Sequence, residues 1–274
     1  MTVTITASDV NKLRSMTGAG MMDCKKALME TGGDFEAAID LLRKKGQKVA
    51  ANRSDRDAKE GLVIAKSSGS RGILVSLNSE TDFVAKNEDF GKVAETFAAI
   101  ALDKAPADLP ALLALPYENE TIQDKVTDLV GKIGEKIELS KFEQITAAKV
   151  VAYNHPGNKL ACIVGFNKEN VSDEMAKDIA MQVAAMAPVA VDKSDVDSTT
   201  LERELEIARE QVRAEGKPEE MVEKIAQGKI AKFYKESTLL NQEFIKDSKK
   251  TIRQYLEGFD KELTVTGFKR IILG

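Results

Sequence analysis

The sequence predicts an α+β protein: an N-terminal three-helix bundle, a core of two pseudo-repeated lobes with small antiparallel sheets and covering helices, and an inserted antiparallel helical hairpin. Three observations predict it. Apolar residues recur at helical spacing through the first 45 residues; the order strand, turn, strand, helix occurs twice between Gly61 and Ala187; and residues 199–236 hold two strongly charged stretches with narrow apolar stripes. With 43% hydrophobic residues in 274, the chain can fill real cores.

The bundle occupies residues 1–45. Ser8 is placed to cap a helix carrying Val10, Leu13 and Met16 on one side, and the TGAG stretch from Thr17 to Gly20 supplies glycines where the chain reverses. A second helix runs from Met21 to about Thr31, with Cys24, Ala27 and Leu28 inward, and stops at Gly32-Gly33. Asp34 then caps a third, whose inner stripe is Phe35, Ala38, Ile39 and Leu42. From Lys44 to Lys59 the apolar pattern lapses and charges crowd together, which marks residues 46–60 as a linker with room for a helical part.

Residues 61–146 read as a first core lobe. Leu62 to Ala65, the turn SSGSRG and Ile73 to Leu77 make a β-hairpin, and Phe90, Val93, Phe97 and Ile100 mark a helix from about Phe90 to Leu102 that covers one face. Ile122, Val126, Leu129, Val130 and Ile133 form another amphipathic stripe, with a strand expected from Ile137 to Ile145. The second lobe takes residues 147–198 and 237–274: Val150 to Tyr153, the turn NHPGNK, Ala161 to Phe166, then a helix with Ile179, Val183 and Met186. FGKVAETFAAIA from Phe90 matches AKDIAMQVAAMA from Ala176 in its inner positions, the mark of a repeat, although two amphipathic helices also match by chance.

The insert at 199–236 carries Leu201, Leu205, Ala208 and Val212 on one helix and Val222, Ile225, Ala226, Lys229 and Phe233 on the next, separated by EGKP. Its charged flanks suit a hairpin that projects; a solvated pair packed on the body is the alternative. Beyond it, Ser248 is placed to cap a short helix through Tyr255 and Leu256, and Leu263 to Leu273 reads as a final strand.

Composition narrows function. A formal net charge of -4 argues against a broad phosphate-binding surface, since nucleic-acid affinity rests on Lys and Arg displacing counterions. Two distant cysteines, Cys24 and Cys162, suggest neither a zinc site nor a disulfide framework and read as small core residues. The start MTVTITASDV lacks the features of a signal peptide, and nowhere do about 18 apolar residues run together, so a cytoplasmic location is expected. A single histidine, His155, limits neutral-pH proton transfer. TGAG is followed by no GK[ST], and no other catalytic or dinucleotide signature is found; no cofactor and no metal site are expected.

The unusual stretch is NSETDFVAKNEDF, Asn78 to Phe90, which sets Phe83 and Val84 among Asp, Glu, Lys and Asn. That composition offers an apolar wedge flanked by hydrogen-bonding groups, as an intruding protein contact needs; equally, Phe83 can be tucked into the core while Asp82 caps the next helix. Met21 and Met22 face different ways on their helix, so one of the two is expected to be buried.

TDFVAKN, Thr81 to Asn87, together with TGAGMMDCKKAL, Thr17 to Leu28, resembles the signature pair of bacterial elongation factor Ts, a family that exchanges nucleotide on the translational GTPase elongation factor Tu. The likeness covers nearly the whole chain in order, with the bundle corresponding to a ubiquitin-associated (UBA-like) module and the hairpin to a coiled-coil, dimerisation-like insert. It implies a guanine-nucleotide exchange factor, not an enzyme of bond chemistry, with elongation factor Tu as partner and a possible homodimer through the hairpin. By the resemblance, Phe83 wedges between partner elements near the magnesium site, Asp82 rearranges hydrogen bonds there, and Thr81 and Val84 hold the loop. Met21, Met22 and Lys25 then grip the nucleotide-binding domain. KIGE, Lys132 to Glu135, matches a family contact segment and adds Ile133 and Gly134, with helix termination as the plain alternative. His155, in the second lobe's hairpin turn, falls where the family touches the partner's other domains, although an exposed turn histidine often has no specific role. Some members carry a further helix after the last strand, whereas this sequence stops at Gly274. Two other classes stay open on the residues: an enzyme using Asp82 with Glu80 or Glu88, and an adaptor whose bundle and hairpin bind a GTPase or another protein without exchange activity.

Overall fold

The computed structural model describes residues 4–274, so the first three residues of the expected bundle lie outside it. Three helices open the chain, α1 (Ala7–Thr17), α2 (Met21–Glu30) and α3 (Phe35–Arg53). Thr6, not Ser8, caps α1: its hydroxyl accepts from Asp9 N–H while the Asp9 carboxylate accepts from Thr6 N–H. A Thr with an acidic residue three positions on satisfies two orphan donors at once, which Ser8 does not. Asp34 caps α3 as expected. Val10, Leu13, Cys24, Ala27, Leu28 and Ala38 form the shared core.

Residues 46–60, expected as a linker, are helical as far as Arg53, where α3 ends. Helical pairing explains the lapse in apolar pattern. Gly46 packs against Gly131 so closely that a Cβ built on Gly131 would lie 2.7 Å from the Gly46 Cα. Two glycines let the helix backbones meet, and no hydrophobic side chain signals the contact.

Next come β1 (Glu60–Ser68) and β2 (Arg71–Ser79), the four-residue turn of helix α4 (Asp82–Ala85), and α5 (Glu88–Lys104). A short helix α6 (Leu109–Leu113) and a two-stranded ribbon, β3 (Pro116–Tyr117) with β4 (Glu120–Thr121), lead into α7 (Ile122–Ile133) and β5 (Ile137–Thr146). The strands β1, β2 and β5 form one sheet in the order β1-β2-β5. The hairpin β6 (Lys149–Asn154) and β7 (Leu160–Phe166) follows, then α8 (Asp173–Met186), α9 (Ser198–Ala214), α10 (Glu219–Ser237), β8 (Glu243–Phe244), β9 (Asp247–Thr251), α11 (Ile252–Glu257) and β10 (Val265–Ile272). Thr251, not Ser248, caps α11, in a reciprocal pair with Gln254; Ser248 lies within β9.

The second sheet runs β10-β7-β6, both pairs antiparallel, with Val151 opposite Val164 and Phe268 also opposite Val164 from the other side. Each sheet is thus a hairpin whose second strand takes a third strand from later in the chain. The repeat extends to the helices: Phe90, Ala94, Phe97 and Ala98 are buried on α5, as are Ala176, Ala180, Val183 and Ala184 on α8. Met186, expected on the inner stripe, is exposed because α8 ends there and Ala187 turns left-handed.

The described residues divide into two compact units, one of residues 4–64, 75–142 and 273–274, the other of residues 65–74 and 143–272. Within the second, α8 covers β6, β7 and β10 over a core that includes Cys162, Phe166, Ile179, Val183, Leu240 and Leu256. There too α9 packs on α10 through Ala208, Val212, Val222, Ala226 and Ile230. Arg209 pairs with Glu223 and Arg213 with Glu219, which sets the two helices antiparallel.

Candidate functional site

The segment after β2 is fastened before it turns outward. Asn78, buried at the end of β2, donates through Nδ2 to Ala58 O at 3.0 Å, and its Oδ1 accepts from Ser76 Oγ at 2.8 Å and Ser140 Oγ at 2.6 Å. Glu80 follows. Its carboxylate accepts from Arg53 Nη1 at 2.8 Å, Arg56 Nη1 at 3.0 Å and Lys136 backbone N–H at 2.6 Å. The Lys136 amide, with both guanidinium groups adding to it, holds the Glu80 pKa down at about 2, so this carboxyl is ionised throughout the neutral range. It therefore has no proton to lend as an acid. Lys136 also donates through Nζ to Ser54 O at 2.9 Å and Arg56 O at 2.8 Å, closing the end of α3.

Thr81 is bound as tightly. Its N–H donates to Glu135 Oε2 at 3.0 Å and its hydroxyl to Glu135 Oε1 at 2.7 Å. Although Thr81 stands at the N-cap of α4, its side chain makes no cap, because the hydroxyl is committed to Glu135. Ser79 Oγ donates to Thr81 O at 2.9 Å.

On this footing α4 presents Phe83, which is 82% exposed. The alternative of a core Phe83 beside an Asp82 cap is excluded: the cap of α5 is Asn87, whose Oδ1 accepts from Asp89 and Phe90 N–H at 2.9 and 3.3 Å. Lys86 Nζ reaches Asp82 Oδ2 at 2.6 Å across one turn. Val84 is half-buried, and Ala85 is the residue of the turn that packs inward.

Met21 and Met22 are both exposed, at 52% and 62%, so the expectation that one is buried does not hold. The Cys24 Sγ donates to Ala19 O at 3.7 Å, and Cys24 packs in a cluster with Leu13 and Leu28 that includes neither methionine. Lys25 is exposed on the same helix. Gly134 ends α7 in the left-handed region, φ 79°, with its N–H on Val130 O at 2.8 Å, so helix termination accounts for its presence. Ile133 is half-buried just before it. The structure therefore brings the end of KIGE to the TDFV turn through the Glu135 contact. His155 lies in the β6–β7 turn of the other unit, exposed, with Nδ1 3.1 Å from the Tyr153 hydroxyl.

A family model described as Elongation factor TS matches residues 80–274. The chain belongs to the elongation factor Ts family. The elongation factor Ts of Cytophaga hutchinsonii is 54% identical to it over 275 positions, covering 98% of this chain and 99% of the relative. That of Porphyromonas gingivalis is 52% identical, covering 98% of each. That of Christiangramia forsetii is 50% identical, covering 98% and 99%.

Against this family frame, the residues that sequence reasoning passed over are Glu80 as an anchor and Glu135. Both sit inside stretches already singled out, NSETDFVAKNEDF and KIGE. Their roles depend on partners 24 to 56 positions away in the chain, a separation that no local spacing reports.

Proposed function

We propose that this chain is a guanine-nucleotide exchange factor that binds elongation factor Tu, disturbs the contacts of its magnesium and phosphate site, and so promotes GDP release during translation elongation. Family membership supplies the partner, and one observation carries the mechanism: a largely exposed phenylalanine on a turn whose two preceding residues, Glu80 and Thr81, are held by ionic and charge-assisted hydrogen bonds. Phe83 enters the partner as the wedge and Asp82 redirects hydrogen bonds beside it, with Thr81 and Val84 holding the turn. Met21, Met22 and Lys25, on a UBA-like bundle, grip the nucleotide-binding domain, Ile133 and Gly134 add a nearby contact, and His155 reaches a different part of the partner. The α9–α10 pair serves as a coiled-coil-like arm and a possible dimerisation element. The factor works in the cytoplasm without a cofactor; among the described residues no helix is long and apolar enough to cross a membrane.

The energy is differential binding: the factor binds best to the partner state in which magnesium and phosphate contacts are broken, and so raises that state's population. Reciprocity then requires that nucleotide weaken the factor's affinity by the same ratio by which the factor weakens the nucleotide's. A ternary complex is therefore transient, and incoming GTP completes the cycle.

The test is stopped-flow release of fluorescent GDP from purified elongation factor Tu. The native chain accelerates release, and the double substitution Asp82→Ala/Phe83→Ala slows the accelerated rate by at least about tenfold, the scale of losing one aromatic anchor, with an unchanged thermal midpoint. An unchanged rate in the double variant would remove the wedge assignment, and tight binding with no acceleration by the native chain would favour an adaptor.

A further inference from the structure

We infer that Glu135 and Glu80 are positioning residues for exchange: the Glu135 carboxylate, just after α7, holds Thr81, and the Glu80 carboxylate, held by Arg53 of α3, by Arg56 and by the Lys136 amide, fixes the residue before it, so that together they keep Phe83 in its inserting orientation. This rests on the wedge reading above and assigns the groups that make the wedge stiff. By itself α4 is weakly held. It is four residues long, too short to be stable as a helix alone, and it has no side-chain cap. Ala85 is its one buried residue and Val84 is half-buried, so apolar packing alone gives this turn a small footing.

The missing constraints come from charge. Glu135 accepts two hydrogen bonds from a single residue, one from backbone and one from side chain, which fixes both the position and the direction of Thr81. Glu80 is fixed one residue earlier by Arg53, Arg56 and the Lys136 amide. Glu135 and Lys136 are adjacent, so the same short stretch after α7 grips both ends of the Glu80-Thr81 peptide. A wedge held this way enters a partner without first ordering its own backbone, and that saving appears as rate.

The test is a double-mutant cycle on the full chain, read by stopped-flow GDP release from elongation factor Tu and by thermal midpoint. Phe83→Ala comes first: unchanged release in this single variant overturns the wedge reading and the inference with it. If Phe83→Ala slows release, Glu135→Ala alone is expected to slow it about tenfold, the scale of lost hydrogen bonds to a charged group. In the Phe83→Ala background Glu135→Ala should then change release less than about twofold, since it acts through a ring already removed. Equal effects in both backgrounds overturn the positioning role while leaving the wedge in place. Thr81→Val, which deletes the hydroxyl donor without touching Glu135, should reproduce the loss, and Thr81→Ser should restore most of the native rate. Loss of rate in Thr81→Ser equal to that in Thr81→Val would also overturn the inference, because a hydroxyl at that position would then have no bearing on exchange.

Discussion

At 82% exposure, the Phe83 ring keeps in water an apolar surface whose burial is worth roughly 1.5 to 3 kcal/mol, and a protein has no folding reason to hold a phenyl ring there. What holds it is ionic, and Glu80 makes that measurable. Its pKa in the folded chain is about 2 against an ordinary 4.5, so the unfolded chain binds the proton more readily. The stabilisation is therefore complete above about pH 4.5 and disappears as pH falls toward 2. Glu80→Gln is expected to lower unfolding free energy at pH 7 by about 1.5 to 3 kcal/mol, the range for hydrogen bonds to a charged group, and the gap from the native chain should narrow below pH 4.5. Urea titrations at pH 7 and pH 3 check this; a gap that stays constant or widens in acid contradicts the network. Motif likeness singled out Phe83 and its neighbours from sequence, but nothing local told an exposed ring from a core ring.

Among the elements, the α3–α7 contact shows how an interface escapes a hydrophobicity reading. Gly46 and Gly131 meet backbone to backbone, and the two positions are not equivalent. A methyl on Gly131 would sit 2.7 Å from the Gly46 Cα, inside any real contact, whereas one on Gly46 would sit 3.5 Å from the Gly131 Cα, an ordinary separation. Gly131→Ala is thus expected to destabilise by about 1 to 3 kcal/mol through overpacking. Gly46→Ala should be neutral or stabilising, by up to about 1 kcal/mol of helix propensity. Urea midpoints of the two variants decide it, and equal destabilisation would mean the helices are spaced differently. The same contact explains why residues 46–53 read as linker: its signal is the lack of a side chain. Caps are legible in kind but not always in place: Asp34 caps α3 as its sequence suggests, whereas Thr6 and Thr251, not Ser8 and Ser248, cap α1 and α11.

For the whole molecule, the two thiols report on two separate cores. Cys24 is buried among α1, α2 and α3, and Cys162 lies in the core under α8, where its Sγ donates to Ala180 O at 3.2 Å and burial pushes its pKa up to about 12. Thiolate is the reactive species, so neither the access nor the ionisation that Cys162 needs is present in the folded chain. An aromatic disulfide reagent at pH 8 should leave both thiols unmodified in native protein over minutes and titrate both in strong denaturant. Site-resolved labelling along a urea series then shows whether the cores open together or one after the other. Rapid native labelling of Cys162 would contradict the packing of its unit.

By itself the sequence determined the longer helices, the two main hairpins and their repeated order, the buried cysteines and the motif pair that resembles the family, because periodicity, turn chemistry and contiguous motifs are local properties of a chain; the short elements α4, α6, β3–β4 and β8–β9 were not legible in it. Tertiary structure alone decided that Phe83 faces solvent, that both Met21 and Met22 do, that α3 continues into the charged stretch, and that Glu80 and Glu135 grip the TDFV turn. Each of these depends on which distant group fills the space or accepts the hydrogen bond, and two residues more than 50 positions apart carry no spacing that announces their meeting.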